Sequence, residues 1–389
     1  MENVLLTFLL TLIILFFIPK IVYRLYRIPF PITEILLGIL LGIFLPDVFR
    51  WDDTLSIIGT IGIITLFVHS GMEIDGKFIA RNRRFFIENF ARHILVLCII
   101  AAAVGYFYQT GIVVSFIAAL GFTAPSASYI FSGIRGQSGA VKNWIAGKAI
   151  AGEIMAIFLL LIFLKINKLT ELAVSLAVVG LLITVLPHVL HQLYHRIFST
   201  IVGNEFSFIF VVAVVSAFIT ELLGIHFLVG AFLAGVVSRR FVRHIVKSPD
   251  YKHVTVETGQ QIIEGFSFFA ILFAPFYFFS IGLQIADANL PFRAIAFSSL
   301  LGIAILLVRA ASMYFHRHRR FNEPARKSFT IVVSVLPTLF FSFVIAEILH
   351  SVFSVEPILY ESLLVYGLLS TLLSFAVQQV FGTDRKAAH

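Results

Sequence analysis

GFTAPSAS at residues 121–128 and SVLPTLFF at residues 334–341 each set one proline, Pro125 or Pro337, inside an otherwise apolar run. Proline removes a backbone N–H and clashes with the turn before it, so a helix carrying it at mid-length is interrupted. In a bilayer the freed carbonyl and N–H groups cannot face lipid; they must face protein or a water-filled cavity. One such proline can mean no more than a kink. Two in corresponding positions point to a binding site near the midplane.

The correspondence comes from an internal repeat. EILLGILLG (34–42) resembles HFLVGAFLAG (226–235), and FVHSGMEI (67–74) resembles FFSIGLQI (278–285). Gly71 precedes Pro125 by 54 residues, and Gly282 precedes Pro337 by 55.

The composition requires a membrane. Of 389 residues, 59% are hydrophobic and 13% charged, against roughly a quarter charged in an ordinary soluble domain. Thirteen apolar stretches can be marked, near 4–22, 29–46, 53–73, 85–107, 111–133, 140–164, 170–190, 205–222, 224–238, 262–285, 291–315, 327–350 and 357–381. The eighth and ninth are separated by little more than Gly224. With the N-terminus outside, the inner loops hold 22 of the 29 Lys and Arg, and the outer loops only Arg50, Lys165, Lys168 and Arg293. That bias predicts thirteen crossings, N-terminus out and C-terminus cytoplasmic, in the inner (plasma) membrane. The repeated stretches lie seven crossings apart, so the copies run in opposite directions. The expected fold is therefore an all-α membrane protein with an inverted-topology repeat and two broken crossing helices. It forms a single transmembrane domain: repeat one about 1–164, a linker helix 170–190 and repeat two about 205–381.

The formal charge of +8 is accounted for by the inner loops and implies no nucleic-acid partner. Cys98 is the one cysteine, so no intrachain disulfide is possible. The first 20 residues read as a retained helix rather than a signal peptide. Phosphate-loop and dinucleotide fingerprints are lacking. No cofactor, metal site or catalytic constellation is identified, which argues against an enzyme and against transport driven by ATP. No soluble nucleotide-binding domain is expected.

Glu153 lies about 13 residues into stretch 140–164, about 20 Å from its inner end. Its surroundings, KAIAGEIMAIFLLL, are small or apolar. A carboxylate buried there can trade a proton for a cation; the competing reading is a structural carboxylate tied to a nearby base. Arg309, in GIAILLVRAASMYF, stays charged and needs an anion, for which Glu153 is the candidate. Alternatively it snorkels inward towards His316 and Arg317. Lys148 is expected to reach the inner interface. The hydroxyls of Thr123, Ser126 and Ser128 can coordinate a dehydrated cation, or equally satisfy local backbone. Glu73 and Asp75 read as interfacial. His188, His191 and His195 share a helical face and read as a solvated basic helix end rather than a metal or pH site.

These features resemble the second cation:proton antiporter family, the Kef-like and Nap-like exchangers. The resemblance rests on EILLGILLG, on IGIITLFVHSGMEID (61–75), on ITELLGIHFLVGAFLAGVV (219–237) and on FYFFSIGLQIAD (276–287). It implies a homodimer in a lipid bilayer, in which a core of helices 4–6 and 11–13 slides against a dimerisation domain. It also implies that Glu153 binds either a monovalent cation, Na⁺ or K⁺, or a proton, with Arg309 as its ion-pair partner. A single titratable carboxylate implies one-for-one, electroneutral exchange. The chain departs from that family's pattern at Gly152-Glu153, at Ala124, and at Leu336-Pro337-Thr338. Those departures keep two rivals in view: a transporter of another small solute, or a non-transporting subunit or sensor on the same fold.

Overall fold

A computed structural model describes residues 2–49, 53–74, 76–127, 129–130, 139–198, 204–248, 255–287 and 292–381. Regular structure among them is helical: α1 Glu2–Tyr26, α2 Phe30–Phe44, α3 Asp53–Glu73, α4 Gly76–Arg81, α5 Arg83–Tyr108, α6 Ile112–Thr123, α7 Gly139–Lys165, α8 Leu169–Thr184, α9 Leu186–Leu193 (continuing as a π-turn, Tyr194–Phe198), α10 Glu205–Leu222, α11 Phe227–Lys247, α12 Val256–Asp287, α13 Phe292–Phe321, α14 Ala325–Val333, α15 Leu339–Phe353 and α16 Pro357–Phe381.

Among the described residues, eight helices are long and apolar enough to cross a bilayer. The α8–α9 pair, bent by 40°, makes a ninth if taken as one span. The chain is thus an all-α, multi-pass membrane protein. Thirteen apolar stretches give fewer full-length spans because some helices are short. α2, α6 and α15 have 15, 12 and 15 residues, about 18–22 Å at 1.5 Å per residue, against a hydrocarbon core of about 30 Å. The twelfth stretch, 327–350, is divided between α14 and α15. Leu6, Ile13 and Phe17 on α1, Leu95 and Ile99 on α5, and Leu300 and Leu307 on α13 are exposed. In water such patches would drive aggregation; here they form the lipid-facing surface.

The chain divides into two compact units. The first comprises Met1–Leu15, Arg50–Lys77 and Leu164–Ser280. Its centre is the crossing of α3 with α11. A Cβ on Gly71 would strike the Phe232 carbonyl, and one on Gly235 the Val68 carbonyl, so the two backbones touch through hydrogen atoms alone. Small residues permit that approach. α10 packs on α11 in the same way, Gly230 resting on Ser216 and Thr220. The arginine Arg239 caps the crossing by donating to the Met72 carbonyl.

The second unit comprises Phe16–Phe49, Phe78–Phe163 and Ile281–His389. There Gly282, at the end of α12, lies against the Ile35 carbonyl and Gly38 of α2. α6 packs on α15 and α16, where Gly121 abuts Ile345 and Leu363. Trp144, Ile145 and Ala149 of α7 form a dry cluster with Ala127, Ile130, Ile331, Val332 and Val335. At the α13–α14 joint, Glu323 accepts from Arg317 Nη2 at 2.7 Å and lies 3.3 Å from Lys327 Nζ.

Candidate functional site

The site grows from the two proline breaks, both in the second unit. α6 stops at Thr123, and Ala124 is extended (φ −69°, ψ 120°). α14 stops at Val333, and helical geometry resumes only at Leu339. The breaks supply each other's missing partners. Ser126 N donates to the Pro337 carbonyl at 2.9 Å. Phe340 N donates to Ser126 Oγ at 3.0 Å, and Ser342 Oγ to the Gly121 carbonyl at 2.8 Å. Thr338 Oγ1 lies 2.8 Å from Ser342 Oγ and 3.2 Å from Ser370 Oγ.

Arg309 ties the two breaks from α13. Its Nη1 donates to the Leu336 carbonyl at 2.9 Å and to Tyr366 Oη at 2.7 Å, and its Nη2 to the Thr123 carbonyl at 3.1 Å. It is 2% exposed. Five donors in a rigid fork suit a guanidinium to this task.

Glu153 is 4% exposed on α7. The preceding residue, Gly152, faces the Pro125 ring so closely that a Cβ would lie 2.5 Å from Pro125 Cδ. Thus the carboxylate-bearing turn is seated directly on the first break. Beside the breaks lies a small, partly open cavity of about 50 Å³. It is lined by Asn89, Arg92, His93 and Val96 of α5, Thr123 and Pro125, Lys148, Ala151 and Gly152 of α7, Arg309, Ser312 and Met313 of α13, and Val335. Gly152 reaches the cavity; Glu153 is not among its lining residues.

Thr123, Pro125, Ser126, Arg309, Pro337 and Thr338 thus belong to one connected assembly. The hydroxyls of Thr123 and Ser126 both serve local polar groups: Thr123 Oγ1 donates to the Ala119 carbonyl at 2.7 Å and lies 3.3 Å from His93 Nε2. Ser128 lies outside the described residues, as does Asp75. Lys148 also belongs to this region. It lines the cavity, its Nζ 5.7 Å from the Trp144 ring centroid. Among the described residues no group of three or more His, Cys, Asp or Glu is placed to hold a metal ion. Tyr366, Ser370, Ser342 and His93 were not singled out from the sequence. The spacing of Tyr366, Ser370 and Ser374, one helical turn apart, was the available signal.

A helical membrane protein whose two helix breaks meet at a buried arginine has the architecture of a secondary transporter. A family model described as "Sodium/hydrogen exchanger, transmembrane" matches residues 9–379, and the chain belongs to that family. Similar proteins include the Probable Na(+)/H(+) antiporter 3 of Methanocaldococcus jannaschii, 21% identical over 293 residues, 73% of this chain and 72% of that protein. Among solved structures, the sodium proton antiporter MjNhaP1 of the same organism at pH 8 superposes with TM-score 0.66 at 16% identity, covering 98% of each chain. A second structure of MjNhaP1 gives 0.61 at 15% identity, covering 98% of this chain and 97% of that one.

These matches correct the resemblance to the second cation:proton antiporter family. The family shown is that of the sodium/hydrogen exchangers, and the proteins this chain is similar to are Na⁺/H⁺ antiporters of the NhaP1 kind rather than Kef-like or Nap-like exchangers. The physical reason lies in the stretches that suggested the latter. Their glycines, Gly38, Gly71, Gly235 and Gly282, are helix-crossing contacts, which any branch sharing the fold requires.

Proposed function

We propose that the chain is a secondary antiporter exchanging a monovalent cation, Na⁺ or K⁺, for H⁺, with Glu153 as the group that both ions share. One observation carries the proposal: a buried carboxylate on a helix turn seated against the first proline break, beside a second break fixed to the first by Arg309 and by the Ser126–Pro337 bond. Glu153 takes proton or cation in turn. Thr123, Ser126 and Ser128 lend oxygens to the dehydrated cation, Pro125, Pro337 and Thr338 mark the helix breaks that hold the site, and Arg309 is the fixed positive charge that pairs with the emptied carboxylate. Because the cavity stops at Gly152 in this conformation, exchange needs a second conformation that opens Glu153 to solvent. An elevator-type movement of the core supplies it. Exchange is one-for-one and electroneutral.

The wider architecture in this proposal is thirteen crossings in one exchanger domain. Repeat one (about 1–164) and repeat two (about 205–381) are inverted and joined by a linker helix at 170–190. The glycine crossings support it: the repeat-related stretches meet crosswise, Gly71 on Gly235 and Gly282 on Gly38. The protein is a homodimer in the plasma membrane, N-terminus outside and C-terminus cytoplasmic.

Reconstituted vesicles with an internal pH dye test the reading. Na⁺ or K⁺ pulses should evoke proton flux in the parent and none in Glu153→Gln, which should remain a monodisperse, folded protein. Full flux from Glu153→Gln would dismiss Glu153 as carrier. A parent inert to both cations would dismiss exchange itself.

A further inference from the structure

The cavity beside the breaks carries charge that moving a cation does not use. Arg92 of α5 and Lys148 of α7 both line it, each half-buried. Among the described residues neither has a carboxylate oxygen within 4 Å. Glu88, one turn from Arg92, is engaged elsewhere, by Arg320 at 2.7 Å and Arg84 at 3.4 Å. Among the described residues, Arg92 and Arg320, both of its own sign, are the charges that bear most on Lys148. Like charges sharing a partly desolvated site repel, and each also loses hydration.

A second observation points to an occupant. Asn89 is 3% exposed and lines the same cavity, yet neither its amide nitrogen nor its amide oxygen has a hydrogen-bond partner. Buried polar groups are rarely left so. Two basic side chains without a carboxylate partner and an idle amide N–H line the same partly open space. That donor set suits an anion and repels a cation.

We propose that this cavity binds a small inorganic anion, a halide or oxyanion, held by the charges of Arg92 and Lys148 and by the Asn89 amide N–H. The bound anion offsets the positive field beside the helix breaks. If a cation also binds at Glu153, the two sites strengthen each other reciprocally. Anion binding itself does not depend on the exchange reading and is measured without transport.

The same chemistry is offered by the phosphate of an acidic phospholipid, so the test has two arms. In the first, detergent-purified, delipidated protein is titrated with chlorine-36 chloride in a scintillation proximity assay, ionic strength being held with gluconate. Saturable binding is expected, weakened about tenfold or more in Arg92→Gln and in Lys148→Gln, and also in Asn89→Leu. Removing one of two like charges should leave the thermal unfolding midpoint of the charge variants unchanged or raised, which separates lost binding from lost fold. Chloride binding that never saturates, or is equal in the parent and both charge variants, overturns the proposal. In the second arm, native mass spectrometry follows co-purified lipid. An acidic phospholipid retained by the parent and lost from the charge variants, with no saturable chloride binding, would assign the cavity to a lipid headgroup and overturn the free anion.

Discussion

Arg309 is the residue on which the site turns, and its work is first of all structural. Two of its three hydrogen bonds end on carbonyls that the breaks have freed, those of Thr123 and Leu336. A buried carbonyl left without its donor costs about 1–3 kcal/mol, so Arg309→Ala should lower the thermal unfolding midpoint in detergent and loosen both breaks together. Arg309→Lys should recover part of the loss, since an ammonium donates from one point and cannot span acceptors on two helices. A midpoint unchanged in Arg309→Ala would show that water replaces the guanidinium. From the sequence, Arg309 was recognisable as a deep charge needing a partner, because an arginine cannot shed its proton. Its carbonyl acceptors were not recognisable, since backbone groups carry no signature in a side-chain alphabet.

Among the elements, α7 is fitted to the first break by the absence of a side chain. A Cβ at Gly152 would lie 2.5 Å from Pro125 Cδ, and the proline ring has no rotamer by which to retreat. Gly152→Ala should therefore cost about 1–3 kcal/mol, the usual range for overpacking, and impair exchange by displacing the break. Gly180→Ala on α8 is the control. Nothing lies within 4 Å of its Cβ position, and alanine is the better helix former by about 1 kcal/mol. Equal unfolding midpoints for the two variants would count against the contact. The α13–α14 joint gives a pH prediction. Burial on its own would raise the Glu323 carboxyl, but hydrogen bonds and charge from Arg317 and Lys327 outweigh it and hold the group below the usual carboxylate range. A depressed folded-state value stabilises the fold above the ordinary carboxylate range, and that contribution disappears as pH falls through the lowered value. Unfolding midpoints from about pH 7 to about pH 3 should thus fall more steeply in the parent than in Glu323→Gln. Parallel curves would remove Glu323 from the acid response.

For the whole molecule, the bilayer made the helices legible. A medium that forbids unpaired backbone groups leaves long apolar runs little choice but helix, and most of the stretches read from hydropathy recur as elements within a few residues. The division of those helices between two compact units was not legible, because apolar faces of similar composition do not declare their neighbours. Family was misjudged in the same way: glycine crossings record how helices meet, not which ion they serve. Orientation is open to a direct test. In a Cys98→Ser background, Lys168→Cys should react with a membrane-impermeant maleimide in intact cells, and Lys142→Cys only after permeabilisation. The reverse pattern would invert the proposed topology.

The bonds between the two breaks also set a timetable for synthesis. Ser126 N depends on the carbonyl of Pro337, which the ribosome adds roughly 210 residues later. At about 5–20 residues per second, that is an interval of roughly 10–40 s. Through most of it the nascent chain must hold freed polar groups of its first break in or near the bilayer before Arg309, and then Pro337, is made. A membrane chaperone, or water retained in the insertion channel, would have to shelter them, and a ribosome stalled before Pro337 would leave behind a fragment already marked for disposal.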